Sequence, residues 1–174
     1  MGSALIMETV KTPLGGFILV VDEQGRLRAA DFADCESPMR KSLDRRFGSS
    51  DYRLSPGRVP AIIKTALAAY FSGRLGAIRR IAVQTGGTPF QDAVWTALRA
   101  IEPGAPLAYS TLAHRLGRPR SARAVGHANG ANPFCIVIPC HRLVGVDGAL
   151  TGYSGGIERK RWLLDHEALH SHPK

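Results

Sequence analysis

Between Glu102 and Asp147 there is no acidic side chain. The same stretch holds Arg115, Arg118, Arg120, Arg123 and Arg142, with His114, His127 and His141. Over the whole chain 23 Lys and Arg face 14 Asp and Glu, a formal net charge of +9. That balance points to a polyanionic partner, nucleic acid first, although a basic protein without one has the same composition. Cysteine is scarce: Cys35, Cys135 and Cys140 are too few, and odd in number, for a disulfide framework. No Cys-x-x-Cys pair is present, and no metal site is expected. No run of about 18 apolar residues exists to span a membrane. The first residues lack the basic start and apolar stretch of a secretion signal. A cytoplasmic protein with no membrane partner is expected.

What is present fits two small domains, 1–84 and 85–174, because the chain changes character near residue 85. Residues 5–10, 16–21 and 27–32 are short β-rich runs separated by turn residues, including Thr12-Pro13-Leu14-Gly15. They predict a small antiparallel sheet. Helices are predicted over 37–47 and 59–71, the second closed by Gly73, with an irregular or extended link over 75–84. Thr88-Pro89-Phe90-Gln91 reads as a helix start with a capping box and proline in the first turn. Phe90, Val94, Trp95, Leu98 and Ile101 form the apolar stripe of that helix.

Residues 109–116, then Gly117-Arg118-Pro119-Arg120, then 121–129 read as helix, turn and helix. Ser121 is the expected cap, and Ala124, Val125 and Ala128 are expected to face inward. Helix-turn-helix units also occur in proteins that never meet DNA. Residues 134–138 are an apolar, strand-like run. A glycine loop, 152–156, precedes a last helix over 157–169, with a frayed tail at 170–174. The fold class is therefore α+β (α/β): an N-terminal domain with an antiparallel sheet and helices, and a mostly helical C-terminal domain with a helix-turn-helix.

Cys140 follows the apolar run and Pro139, with His141 and Arg142 beside it. A free thiol with a pKa of about 8.5 is only a few per cent thiolate at neutral pH, and a nearby His or Arg raises that fraction. Adjacency in sequence is not contact, and a buried, inert cysteine fits the tetrapeptide equally well.

The string Ile138-Pro139-Cys140-His141-Arg142-Leu143-Val144-Gly145 resembles the active-site motif of the O6-alkylguanine-DNA alkyltransferases, the methylated-DNA–protein-cysteine methyltransferases. The resemblance runs from about Thr88 to Glu167. It includes the Tyr109 helix, Ala122-Arg123-Ala124-Val125-Gly126, Asn132-Pro133, Gly152-Tyr153-Ser154-Gly155-Gly156 and Trp162-Leu163-Leu164. The N-terminal half fits more loosely, through Thr12-Pro13-Leu14-Gly15 and Tyr70-Phe71-Ser72-Gly73. The length suits the free-standing bacterial type.

The resemblance implies irreversible, stoichiometric transfer of an alkyl group from O6 of guanine in DNA to Cys140, with O4 of thymine as a second candidate. His141 would be the base, acting through a water, and Glu167 its orienter. Asn132 would brace the cysteine turn, and Tyr109 would give a proton to the leaving purine. Taken alone, Glu167 also reads as a surface carboxylate, Asn132 as a loop residue and Tyr109 as a half-buried aromatic. Ser154, Tyr153 and the Leu143 backbone would hold the base in its pocket. Arg123 would fill the space of the flipped base, while Ala122 and Ala124 let the helix sit close to DNA. Ser121, Arg118 and Arg120 would join the DNA surface, and Arg142 is read as structural. The implied partner is double-stranded DNA with O6-alkylguanine, met in the minor groove with weak sequence preference by a monomer. No cofactor is implied, because damaged DNA is itself the donor. Leu143 departs mildly from the Val or Ile usual in the family. Cys35 and Cys135 are expected to be structural.

Three rivals remain at this stage. A binding module that only holds damaged guanine would lack the acceptor cysteine. A helix-turn-helix regulator would read one sequence, and a cysteine hydrolase would turn over steadily.

Overall fold

The computed structural model describes residues 2–171. The chain divides into two compact units, Met1–Gly86 with Pro133–Val137 and Gly87–Asn132 with Ile138–Lys174. Strands β1 (Ser3–Thr12), β2 (Gly15–Asp22) and β3 (Leu27–Phe32) follow the three predicted runs. The β1–β2 turn is closed by its own side chain. The Thr12 hydroxyl donates to the Gly15 carbonyl at 2.7 Å and accepts from the Leu14 N–H at 3.2 Å. Helix α1 (Glu36–Phe47) leads to β4 (Tyr52–Pro56), and α2 (Ala61–Phe71) follows.

The sheet order is β3-β2-β1-β4. β1 and β2 are antiparallel, as are β2 and β3, but β4 lies parallel to β1. The sheet is thus mixed, a correction to the antiparallel expectation. Tyr52–Pro56 carries Arg53, Ser55 and Pro56 among its five residues, so it gives no strand signal. Its parallel pairing needs a crossover, which α1 supplies. β2 is one of the two interior strands, and Phe17–Val21 are buried on both faces. It therefore reads as a continuous apolar run rather than an alternating one. Leu5, Ile18, Val20 and Ala29 pack against Met39 and Leu43 of α1.

Residues 75–84 are more ordered than expected. Leu75–Arg80 is a 3-10 turn, and Val83 bridges Leu27 in parallel. The run 134–138 is also corrected. Phe134 makes one bridge to Ala30, and turns follow in place of a strand. Its five side chains are buried, and Ile136 sits at φ 70. The left-handed region disfavours a β-branched residue, so burial holds this conformation against its local cost.

In the second unit α3 (Pro89–Arg99) opens with both capping-box bonds: Gln91 N–H to Thr88 Oγ1 at 3.2 Å and Thr88 N–H to Gln91 Oε1 at 3.0 Å. Val94, Trp95, Leu98 and Ile101 are buried, while Phe90 is only half-buried, with the Arg118 guanidinium 5.3 Å above its ring. Each such buried side chain contributes about 1.5–3 kcal/mol. The Trp95 indole N–H donates to the Ala128 carbonyl at 2.9 Å, tying α3 to α5 (Ala122–Gly130). Helix α4 (Tyr109–Arg115) precedes α5, and Gly117 at φ 70 makes the turn.

Two expectations for α5 fail. Ser121 makes no side-chain cap bond; its φ of −104° and ψ of 22° are not the extended geometry that aims a hydroxyl at the first turn. Ala124 is exposed, and Val125, Ala128 and Asn129 form the buried face. A two-residue parallel ladder joins β5 (Leu107–Ala108) to β6 (Leu143–Val144). Helix α6 (Ile157–His170) completes the unit. His170, expected in a frayed tail, ends that helix with its Nδ1–H on the His166 carbonyl at 2.8 Å. Residues 172–174 of the expected tail lie outside the described residues.

Candidate active site

Cys140 begins a single 3-10 turn, Cys140–Arg142, and is 3% exposed. Short-range bonds shape the approach: Cys140 N–H donates to Ile138 O at 2.8 Å, and Arg142 N–H to Pro139 O at 3.0 Å. Two asparagines brace it. Asn132 Nδ2 donates to the Ile138 carbonyl at 2.8 Å, and Asn129 Nδ2 to the Cys140 carbonyl at 3.4 Å. The turn is thus held from the α5 end, with the thiol at its start.

Behind the cysteine lies a buried charge network. His141 Nε2 is 2.8 Å from Glu167 Oε1. Arg142 donates through Nε to Oε2 at 2.9 Å and through Nη2 to Oε1 at 2.8 Å, and its Nη1 reaches the Ile101 carbonyl at 2.6 Å. His141 and Glu167 are 0% exposed and Arg142 2%. Burial would raise the Glu167 carboxyl, but the hydrogen bonds from His141 and Arg142 and the Arg142 charge outweigh it and hold the carboxyl far below the usual carboxylate range. Burial pushes the His141 imidazole down; the charge and hydrogen bond of Glu167 oppose this, and the Arg142 and Lys160 charges add to the fall. The ring is therefore neutral. An ionised Glu167 can only accept, so Nε2 carries the hydrogen. Nδ1 keeps a lone pair, is buried, and has no hydrogen-bond partner among the described residues.

Lys160, on the buried face of α6, is electrostatically coupled to Cys140. It is 0% exposed, and its Nζ donates to the Thr151 carbonyl at 2.9 Å. Desolvation lowers its pKa, and the charge of a Cys140 thiolate raises it. By the same coupling, the ammonium favours the thiolate. The Tyr109 ring lies 6.0 Å from this Nζ, and the Tyr109 hydroxyl accepts from Thr151 Oγ1 at 3.2 Å.

A family profile described as 6-O-methylguanine DNA methyltransferase, DNA binding domain, matches residues 89–169. The methylated-DNA–protein-cysteine methyltransferase of Salmonella typhimurium is 48% identical over 163 residues, 94% of this chain and 95% of that protein. The Shigella flexneri protein of the same name is 45% identical over 163 residues, with the same coverage. The chain belongs to the methylated-DNA–protein-cysteine methyltransferases. Solved structures agree. The crystal structure of Mycobacterium tuberculosis O6-methylguanine methyltransferase gives a TM-score of 0.78 at 34% identity, covering 98% of this chain and 96% of that one. The crystal structure of Mycobacterium tuberculosis OGT in complex with DNA gives 0.77 at 34%, covering 96% and 94%.

Within this methyltransferase fold, the predicted residues divide by contact. His141 and Glu167 touch, and Asn132 holds the turn that carries Cys140. Tyr109 connects to this group through Thr151 and Lys160. Leu143 is buried and pairs with Leu107 in the β5–β6 ladder. In the glycine loop Ser154 is exposed and Tyr153 half-buried. Arg123, Ala124, Arg118 and Arg120 are exposed on the helix-turn-helix, with Ala122 and Ser121 half-buried beside them. Cys135 is buried, Cys35 is half-buried, and none of the three cysteines is in a disulfide.

Sequence reasoning missed four features. Asn129 and Thr151 carry no motif of their own. Lys160, flanked by Arg159 and Arg161, reads as a solvated helix residue. His166 and His170 stand at His-x-x-x-His spacing, a zinc-like pattern the sequence reading passed over. The His166 ring stacks on Trp162 at 4.9 Å and 15°, its carbonyl takes His170 Nδ1–H, and Glu167 between them serves His141 and Arg142. Among the described residues, no group of three His, Cys, Asp or Glu side chains could hold a metal ion. No helix among them is long and apolar enough to cross a membrane.

Proposed function

We propose that the protein repairs O6-alkylated guanine in duplex DNA by moving the alkyl group to Cys140 Sγ, once per molecule. The observation that carries this reading is the buried, unpartnered His141 Nδ1, one residue from a buried thiol, with Nε2 fixed by Glu167. Through a bridging water, Nδ1 takes the thiol proton. The thiolate attacks the carbon on O6; the S–C bond forms as the C–O6 bond breaks. The electron pair of the broken bond goes to the purine, and Tyr109 protonates N3 as it leaves. Asn132 keeps the turn in place, and Lys160 favours the thiolate. The thioether is stable, so the protein is consumed. No methyl-donor cofactor is needed, and O4-alkylthymine is a second candidate substrate.

The target atom lies inside the stack, so the base must be flipped out, at a cost of a few kcal/mol. Arg123 is exposed at the start of α5, where it can fill the vacated stack, and the small Ala122 and Ala124 permit close approach. We assign α5 to the minor groove. Arg118 and Arg120 and the Ser121 region would meet the backbone, which gives salt-sensitive affinity and weak sequence preference. Ser154, Tyr153 and the Leu143 backbone would line the base pocket. We further assign a monomer acting in the cytoplasm, and residues 1–84 and 85–174 as its two domains.

Intact-protein mass after incubation with duplex DNA containing O6-methylguanine tests this. Wild type should gain one methyl, saturating at one per molecule, and Cys140→Ser none. No gain by folded, reduced wild type would sink the repair reading in favour of a binding module.

A further inference from the structure

Resting on that reaction, we propose that Thr151 positions Tyr109: its hydroxyl donates to the phenolic oxygen, frees the phenolic hydrogen for the purine, and stabilises the phenolate that forms. Thr151 lies in the loop between β6 and α6, outside every recognised motif. Its carbonyl and its hydroxyl face two parts of the site. The carbonyl accepts from the buried Lys160 Nζ at 2.9 Å, and the hydroxyl reaches Tyr109 Oη at 3.2 Å. The loop on either side is fixed as well. Gly145 N–H donates to Ala149 O at 2.9 Å, Gly156 N–H to Tyr153 O at 2.9 Å, and Arg159 Nη1 to Gly155 O at 3.1 Å. Lys160 thus anchors the backbone from which the Thr151 hydroxyl is presented.

The chemistry follows from what a phenol can do. It has one hydrogen to give and lone pairs to accept with. With Thr151 as donor, the Tyr109 hydrogen stays available for N3. As that proton moves to the purine, Tyr109 becomes an anion and the bond from Thr151 becomes charge-assisted. A bond to a charged group of this kind is worth a factor of about ten or more. With the opposite polarity, Tyr109 would spend its hydrogen on Thr151, and removing Thr151 would speed the reaction. On the far side, the Tyr109 ring passes α5 at Gly126, where an added Cβ would lie 3.8 Å from Cδ1. The ring thus runs close to α5, and the hydroxyl's partner is Thr151.

The test is single-turnover methyl transfer with duplex DNA containing O6-methylguanine, across DNA concentrations. Thr151→Val should lower the maximal rate constant about tenfold, with the half-saturating DNA concentration unchanged. Thr151→Ser should restore it. In a Tyr109→Phe background, Thr151→Val should add little, because the group it serves is gone. The proposal is overturned if Thr151→Val matches or exceeds wild type. It is equally overturned if the loss appears only as weaker DNA binding, if Thr151→Ser stays slow, or if the full factor persists without the phenol. Wild type that gains no methyl overturns the repair reading and this inference together; methylated wild type with an unaffected Thr151→Val removes this inference alone.

Discussion

Replacing Glu167 by Gln preserves the shape of the site and changes which ring nitrogen of His141 carries the proton. In the native site the carboxylate accepts three bonds, from His141 Nε2 at 2.8 Å and from Arg142 Nε and Nη2 at 2.9 and 2.8 Å. A glutamine has one oxygen and one NH2 group. Arg142 donates to both carboxylate oxygens, so one of its nitrogens must meet the NH2; with the amide oxygen on Nε, the NH2 takes the place of Oε1 and faces His141 Nε2. That nitrogen must then accept, the hydrogen moves to Nδ1, and the ring loses the lone pair that would deprotonate the thiol. General-base assistance is worth about 10²–10⁴ in rate, so the Gln variant should transfer methyl at least about 10²-fold more slowly at pH 7.5. It also leaves a buried guanidinium without its counter-charge, which costs about 3–5 kcal/mol. At 2–4 °C per kcal/mol for a chain of this length, Tm should fall by roughly 6–20 °C. Single-turnover transfer below the variant's Tm, followed from pH 7 to 9.5, separates the two effects. As rising pH ionises the thiol without help from a base, the variant should recover much of its rate. A variant as fast as wild type at pH 7.5, or equally deficient at pH 9.5, would refute the assignment of His141 as base.

Stability should also depend on pH, and the sign is fixed. Burial lowers the His141 pKa, so between that value and about 6.5 the unfolded chain binds more protons than the folded one, and stability falls as pH drops. Glu167, held far below its ordinary value, keeps its contribution above about pH 4.3 and loses it only as pH falls toward the folded pKa. Denaturant midpoints at pH 7.5 and 5.5 should therefore differ, with the lower value at 5.5, and equal midpoints would contradict a buried neutral imidazole. Arg123→Ala, at an exposed position, should leave Tm unchanged yet slow methyl transfer from duplex DNA about tenfold or more, with little effect on free O6-methylguanine base, which needs no flipping. Equal losses on both substrates would remove Arg123 from the flipping step.

Much of the fold was legible where local chemistry and periodicity coincide. The Thr88-Pro89-Phe90-Gln91 start appears with both capping-box bonds, and the Thr12 turn closes on its own hydroxyl. What escaped depends on distant partners. β4 has a polar sequence and becomes a strand only because β1 offers it a parallel edge. The run 134–138 is apolar enough for a strand, but Ile136 at φ 70 turns the chain, which only burial makes tolerable. In the site, the Cys140-His141-Arg142 string announces itself, whereas Asn129 and Thr151 act by position alone.

Lys160 shows why periodicity could not complete the site. The buried face of α6 is Lys160, Leu163, His166 and Glu167, so the stripe that apolar residues would normally fill contains a cation and an anion. Buried charges need partners, and these two do not pair with each other. Lys160 bonds to Thr151 and sits close enough to Cys140 to feel a thiolate, while Glu167 bonds to His141 and Arg142. On the proposed reaction, proton transfer from thiol to imidazole leaves a negative sulfur and a positive ring. The helix already holds a cation beside the first and an anion behind the second. One helical face thus stabilises both ends of the charge separation that activates the cysteine. Replacing its charges with apolar residues would restore the periodic stripe and remove the activation.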